Sequence, residues 1–331
     1  MTKPKVFVSR IIPDRGLAML RGQVDLEIWP DPLPPSYEVL LQKVTGVDGF
    51  ICLLTDKIDP NLMDTAGKQL KVISQMAVGF DNINIPEATK RKLPVGNTPG
   101  VLTDTTADFA WTLLMSAARR LVEGDKFTRA GKWKTWGPID FLGPDVTGGT
   151  LGLMGFGRIG QGMAKRAMGF DMKILYYDVQ RYPEAEQQYG AHYVDVDTLL
   201  RESDFLSLHT VLSPETRHLL NDDRFKLMKK SAIVINTSRG PVIDQAALYR
   251  ALSTGTIAYA ALDVTDPEPM KLDDPLLTLD NIIIAPHIAS ASFETRNKMS
   301  AMAAANLLAG LNGDRLPTCV NPEVYEKGIR K

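Results

Sequence analysis

Residues 150–178, TLGLMGFGRIGQGMAKRAMGFDMKILYYD, leave this chain few folds to choose from. A short apolar run over 151–154 reads as a buried strand and leads into Gly155-Phe156-Gly157-Arg158-Ile159-Gly160, a G-x-G-x-x-G. A helical pattern follows over 158–168, with Gly169 placed to stop it. A second apolar run over 172–177 ends at Asp178. Strand, glycine-rich turn, helix, strand and acid, in this order, make a βαβ unit of the kind that binds a dinucleotide. Gly155 permits the tight turn, Gly157 lets the backbone approach a pyrophosphate, and Gly160 lets helix and strand pack closely. The helix N-terminus offers unpaired N–H groups and a positive dipole end to phosphates. Asp178 lies 18 residues beyond Gly160, where a carboxylate accepts hydrogen bonds from the hydroxyls of the adenosine ribose. Glycines alone would serve an ordinary turn equally well; the ordered set around them favours the dinucleotide.

A chain of 331 residues is expected to form about two domains. Its alternation of elements agrees. Residues 1–98 read as strands over 5–9, 24–29, 49–54 and 71–76, with helices over 13–21, 36–44, 60–67 and 86–91 between them. A long helix is expected over 103–122, with Thr103 and Asp104 as capping candidates, then a second helical piece over 124–131 and an irregular connection carrying Trp133 and Trp136. After the βαβ unit the alternation resumes, giving strands over 151–154, 173–177, 205–208, 232–236, 258–262 and 282–285, about six in all. A last helix spans 291–311. Such alternation predicts an α/β fold of two doubly wound parallel-sheet domains. The first is a discontinuous flavodoxin-like domain from residues 1–98 and 287–331, expected to bind substrate. The second is a Rossmann dinucleotide-binding domain over 99–286 that includes the helix at about 103–122.

Composition excludes several functions. The formal net charge of −1 gives no basic excess for nucleic acid or an anionic membrane surface. Cys52 and Cys319, far apart, read as reduced thiols of a cytoplasmic protein. The opening MTKPKVFVSR reads as the start of a strand rather than a signal peptide, and no apolar run approaches the roughly 18 residues of a membrane span. The four histidines lack metal-ligand spacing, so no metal is expected.

In open parallel sheets, ligands bind beyond the carboxyl ends of the strands. Three polar segments fall there: Asn236-Thr-Ser-Arg239-Gly240, Asp263-Val-Thr-Asp-Pro-Glu268-Pro269 and Pro286-His287-Ile-Ala-Ser290. An arginine pairs with a carboxylate in bidentate fashion and polarises a neighbouring carbonyl. A histidine donates a proton to an oxyanion, and a glutamate beside it holds its tautomer. Each residue alone would read as a surface charge or a satisfied turn; three at successive strand ends beside a dinucleotide motif read as a site.

The sequence resembles the D-isomer-specific 2-hydroxyacid dehydrogenases, most closely glyoxylate/hydroxypyruvate reductases. The resemblance rests on Ala77-Val-Gly79-Phe-Asp81-Asn, Asn97-Thr-Pro-Gly-Val-Leu-Thr103, GFGRIG, INTSRGPVID, LDVTDPEP and APHIAS, which run in family order over nearly the whole chain. It implies NAD(P)H-dependent reduction of a small 2-keto acid, with His287 protonating the carbonyl oxygen, Glu268 holding the imidazole and Arg239 binding substrate. It also implies that the Val78 and Gly79 N–H groups clasp the substrate carboxylate, with Leu53, Leu54 and Met76 lining the pocket. Cofactor contacts implied beyond Gly155, Phe156, Gly157, Arg158, Ile159, Gly160 and Asp178 are His209, Thr210, Pro214 and Thr216 toward adenosine and pyrophosphate. Thr106, Thr237, Ser238, Arg239, Asp263, His287 and Ser290 would surround the nicotinamide end, with Asp263 as partner of its ribose or amide. A carboxylate at 178 repels a 2′-phosphate, so NADH is expected over NADPH, with Arg181 allowing residual NADPH use. The family also implies a homodimer built on the 103–122 helix and the tryptophan connection, with Trp136 approaching the partner's active site. The other class of reading is a dinucleotide-sensing protein resembling the C-terminal-binding-protein corepressors, which share the fold and the Arg/Glu/His trio.

Overall fold

The computed structural model describes residues 2–326, 328 and 329; residues 327 and 330–331 at the end of the expected first domain lie outside them. The chain divides into two compact units, Met1–Leu102 with Ala291–Lys331, and Thr103–Ser290. Residues 99–102 therefore go with the first unit, where Val101 and Leu102 pack on its core. Residues 287–290 go with the second.

The first unit is a five-stranded parallel sheet of β1 (Lys5–Val8), β2 (Asp25–Ile28), β3 (Gly49–Cys52), β4 (Val72–Gln75) and β5 (Val95–Gly96), in the order β2-β1-β3-β4-β5. That is the flavodoxin-like order. Helices α1 (Asp14–Leu20), α2 (Tyr37–Val44), α3 (Pro60–Ala66) and α4 (Ile85–Lys90) connect the strands. Side chains cap three of them: Ser36 accepts from Val39 N–H, Asp59 from Leu62 N–H and Asn84 from Glu87 N–H. Two-residue β5 carries no local strand signal. It pairs with β4 on one side, and the end of the chain supplies partners on the other: Val95 N–H donates to Asn321 Oδ1 (2.9 Å) and Val320 N–H to the Val95 carbonyl (2.8 Å).

The second unit opens with α5 (Thr103–Ala118) and α6 (Leu121–Arg129). The single helix expected to Val122 thus stops early. Arg120 adopts a left-handed conformation (φ +49°) that breaks the ladder. Its guanidinium is bidentate to Glu123, three residues on, and sits 5.2 Å from the centre of the Phe141 ring. A parallel sheet follows, built from β6 (Thr150–Met154), β7 (Lys173–Tyr177), β8 (Ala191–Tyr193), β9 (Phe205–Leu208), β10 (Ile233–Asn236), β11 (Tyr259–Leu262) and β12 (Ile282–Ile284), with helices α7 (Arg158–Ala167), α8 (Pro183–Tyr189), α9 (Val196–Glu202), α10 (Asp222–Phe225) and α11 (Gln245–Ser253) between them. The order is β12-β11-β10-β9-β6-β7-β8, a Rossmann sheet. It has seven strands rather than six, because the three-residue edge strand β8, with two of its residues exposed, has too little apolar pattern to be read. Helix α7 ends at Ala167, one residue short of the expected 168, and tightens to a 3₁₀ turn over Met168–Phe170; Asp171 (φ +51°), not Gly169, reverses the chain.

Helix α12 (Phe293–Asn312) closes the first unit. It lies so close to the sheet that Ser74 Oγ donates to the Ala303 carbonyl (2.8 Å), and a Cβ on Gly310 would stand 2.5 Å from Val72 Cβ. In an exposed helix, Gly310→Ala would stabilise by about 1 kcal/mol through propensity. Here the overlap opposes that gain with about 1–3 kcal/mol of overpacking. The expected result is a net loss of stability, seen as a lower urea midpoint at unchanged m-value; a raised midpoint would mean that α12 can shift outward freely.

Candidate active site

The dinucleotide edge is built where β6 meets α7. Gly155 (φ +94°) turns under the next strand end, and a Cβ there would meet the His209 backbone at 2.7 Å. A Cβ on Gly160 would stand 2.3 Å from the Gly155 carbonyl oxygen, so only glycine lets α7 start this close to the strand. A Cβ on Gly157 meets nothing within 4 Å and would point into open space. Arg158 and Ile159 form the first turn of α7. Phe156 buries its ring against Tyr176, centroids 4.0 Å apart, while its N–H donates to Asp178 Oδ2 (2.6 Å). Asp178 therefore pins the glycine-rich loop as well as standing at the end of β7.

The neighbouring strand end carries His209 and Thr210. The His209 Nε2 lies 2.9 Å from Ser207 Oγ. The Thr210 Oγ1 is buried with no hydrogen-bond partner among the described residues. Thr216 closes its own loop, accepting from Ser213 N–H (2.8 Å) and donating to the Val211 carbonyl (2.7 Å); Pro214 is exposed beside it. Val179 and Val211, just beyond the ends of β7 and β9 on either side of β6, are 93% and 79% exposed. Sequence reading passed over them; their only signal is an apolar residue where a strand has already ended. Thr106 is buried on α5, which packs on α7.

At the ends of β10, β11 and β12, adjacent in the sheet, stand Arg239, Glu268 and His287. The Asn236 side chain shapes the first loop. Its Oδ1 accepts from the N–H and Oγ of Ser238 (2.9 and 2.7 Å), and its Nδ2 donates to the Arg239 carbonyl (2.9 Å). Arg239 Nη1 donates to the Ser238 carbonyl (2.9 Å). The Thr237 Oγ1 is a second buried hydroxyl without a partner among the described residues. A Cβ on Gly240 would overlap the Thr265 carbonyl at 1.9 Å, so this glycine brings the arginine loop against the loop of Glu268. Glu268 accepts from Thr265 N–H through Oε1 (3.0 Å) and faces His287 Nδ1 through Oε2 (2.8 Å).

Asp263 meets the backbone of the histidine loop. Its carboxylate, 1% exposed, accepts from Ile288 N–H through Oδ1 (2.7 Å) and Ala289 N–H through Oδ2 (2.8 Å), while its carbonyl accepts from His287 N–H (2.9 Å). Burial raises its pKa, and the two amides oppose that rise. Both oxygens brace the histidine loop, which makes Asp263 a positioning residue. Ser290 ends that loop and the second unit.

In the first unit, Leu53 and Leu54 follow β3, and Met76, Val78 and Gly79 follow β4, the adjacent strand. Met76 is buried and the others are partly so. Asn97 Nδ2 donates to the Val78 carbonyl (2.9 Å) and Gln75 Nε2 to the Gly79 carbonyl (2.8 Å). Gln75 also bonds Asn82, whose Nδ2 donates to the Leu53 carbonyl (3.1 Å), so one half-buried amide network ties both strand ends.

A Rossmann sheet with Arg, Glu and His at successive carboxyl ends has the form of a nicotinamide-dependent dehydrogenase. Residues 111–289 match the family model of the D-isomer specific 2-hydroxyacid dehydrogenase NAD binding domain, and the chain belongs to that family. It is 52% identical to a glyoxylate reductase of Korarchaeum cryptofilum, with 98% of each chain covered. It is 52% identical to a glyoxylate reductase of Thermococcus litoralis over 97% of this chain and 98% of that one. Among solved structures, the TT0316 protein of Thermus thermophilus superposes with a TM-score of 0.90 at 44% identity, covering 96% of this chain and 99% of that one. The family uses a nicotinamide dinucleotide, and the residues present fit one: the space above Gly157 and the two orphaned hydroxyls of Thr210 and Thr237 are what a bound pyrophosphate and ribose would fill and satisfy.

Burial holds the His209 imidazole neutral, its pKa pushed down to about 3 from an ordinary 6.5. As pH falls between these values the unfolded chain takes up a proton that the native state refuses, so native stability drops. His209→Gln removes this contribution and should flatten the decline of unfolding free energy over that window, measured by urea titration at several pH values. A slope equal to that of the wild type would mean that the native imidazole protonates freely.

Proposed function

We propose that this chain reduces glyoxylate or hydroxypyruvate to the 2-hydroxy acid, with His287 as proton donor. The observation that carries the proton-transfer role is the 2.8 Å contact between His287 Nδ1 and Glu268 Oε2. A carboxylate at that distance takes the Nδ1 proton as its hydrogen bond and turns Nε2 outward as the acid. Glu268 is itself aimed by the Thr265 N–H, so the imidazole has one orientation. When bound, the reduced dinucleotide supplies the hydride. Arg239 binds the substrate carboxylate and polarises the keto group, from a loop fixed by Asn236. In the first unit, the carbonyls of Ala77 and Val78, held by Thr98 N–H (2.8 Å) and Asn97 Nδ2 (2.9 Å), turn the N–H groups of Val78 and Gly79 the opposite way, as planar peptides must, and these receive a carboxylate. Leu53, Leu54 and Met76 give that position an apolar lining suited to a small acid. The first unit is thus the substrate-binding domain and the second the dinucleotide-binding domain. The names of the curated relatives support glyoxylate as substrate.

NADH is preferred over NADPH. The Asp178 carboxylate is held at the end of β7 by Phe156 N–H; with the ribose hydroxyls bound to it, a 2′-phosphate would face a like charge. The chain works as a homodimer. Trp133, Trp136, Ile139 and Leu142, all within ten residues of sequence and Trp136 79% exposed, form the apolar surface that a second copy would cover, with Trp136 reaching toward the partner's active site.

The first test is NADH oxidation followed by absorbance over a panel of 2-keto acids; binding of NADH without its oxidation would contradict the enzymatic reading. In the same assay His287→Ala should lower kcat by about 10²- to 10⁴-fold, the scale of a positioned general acid, at near-constant NADH affinity. Near-normal turnover would remove His287 from the chemistry. Sedimentation at micromolar concentration should give a dimer, and Trp136→Glu should shift it toward monomer; a monomeric wild type would refute the assembly.

A further inference from the structure

We infer that Glu186 sets the cofactor choice of this chain by holding Arg181 away from the 2′-position of the adenosine ribose. The inference rests on the reading of Asp178 as the ribose acceptor. Arg181 is the one cation in the sequence from Asp178 to Tyr189. It lies three residues beyond the strand-end acid, where a flexible arginine can meet a 2′-phosphate. Its guanidinium is already engaged. Nε donates to Glu186 Oε1 (3.1 Å) and Nη2 to Glu186 Oε2 (2.6 Å), a two-pronged pair, and the group lies 5.6 Å from the centre of the Tyr193 ring.

The acid is the fixed member of this pair. Glu186 Oε1 also accepts from Tyr176 Oη (2.6 Å), and Tyr176 is fully buried, stacked on Phe156, with its own hydroxyl accepting from Tyr182 N–H (2.9 Å). The Glu186 side chain is 17% exposed and that of Arg181 60%. Arg181 first, and Tyr176 after it, holds the Glu186 carboxyl below its ordinary range, so the acid stays ionised and keeps its grip at neutral pH. The core thus anchors an acceptor, and the acceptor captures the arginine. A phosphate would have to compete with a preformed bidentate carboxylate for the same guanidinium. Removing the repulsion at Asp178 is then only half of what NADPH needs.

The test uses the whole chain and direct binding, by calorimetry, of 2′,5′-ADP and 5′-AMP. Glu186→Gln keeps an oxygen for the Tyr176 hydroxyl while removing the charge that holds Arg181. In an Asp178→Ser background, adding Glu186→Gln should tighten 2′,5′-ADP about two- to fivefold, the scale of an exposed ion pair, and leave 5′-AMP unchanged. With Arg181→Ala also present, Glu186→Gln should have no effect on either ligand. The inference is overturned if Asp178→Ser alters 2′,5′-ADP affinity but Glu186→Gln adds nothing. It is equally overturned if Glu186→Gln acts the same with and without Arg181, since that would be a general charge effect. If Asp178→Ser leaves both ligands at wild-type affinity, the ribose does not sit at Asp178, and the underlying reading of the site fails along with the inference.

Discussion

The buried carboxylate of Asp263 holds the loop that follows β12. An ionised group placed there costs several kcal/mol unless its lone pairs are met. Two backbone amides meet them, each a charge-assisted bond of about 1.5–3 kcal/mol. The return is conformational. His287 sits at φ +54°, a left-handed conformation that costs a non-glycine residue about 1–2 kcal/mol. The bonds to the two residues after it, and from its own N–H to the Asp263 carbonyl, hold it there. With the backbone fixed, the imidazole meets Glu268, and Glu268 in turn is aimed from the same loop by Thr265. The histidine is therefore oriented from both ends.

The other devices share one logic, which is close approach at the carboxyl edge of a parallel sheet. Gly240 lets the arginine loop touch the glutamate loop, as Gly160 lets α7 begin against Gly155. Neither contact survives a methyl group. The strand ends are then tied by side-chain amides, Asn236 in the second unit and Gln75 with Asn82 in the first. These amides offer donor and acceptor together, so one residue can fix both halves of a turn.

Much of this was legible in the sequence, and the gaps have physical causes. The dinucleotide turn declares itself because glycine, strand and acid are local signals. The strand-end placement of Arg239, Glu268 and His287 was legible because each follows a strand read from its own apolar run. β5 and β8 were missed because their partners lie far off in sequence or their residues are exposed. The break at Arg120 was missed because the Phe141 ring that its guanidinium meets lies 21 residues further on and is brought there by tertiary structure. The resemblance implies Asp263 as a cofactor contact; its grip on the Ile288 and Ala289 amides was not legible, because a strand-end acid looks the same whether or not a backbone meets it. The grip of Glu186 on Arg181 is invisible in the sequence, since nothing there shows which of several nearby acids the arginine meets.

The most direct test of the central claim is the single-turnover rate of hydride transfer in Asp263→Asn at saturating NADH and glyoxylate. Asparagine is nearly isosteric, but it must turn an NH₂ toward one of the two amides that need an acceptor, so the loop loses its brace while the cavity stays filled. If Asp263 works by holding the His287 loop, the rate should fall by about 10- to 100-fold, as for lost supporting contacts at other sites, with NADH affinity changed by much less. A rate equal to that of the wild type would contradict the account, because it would mean that the imidazole keeps its place without the carboxylate beneath it.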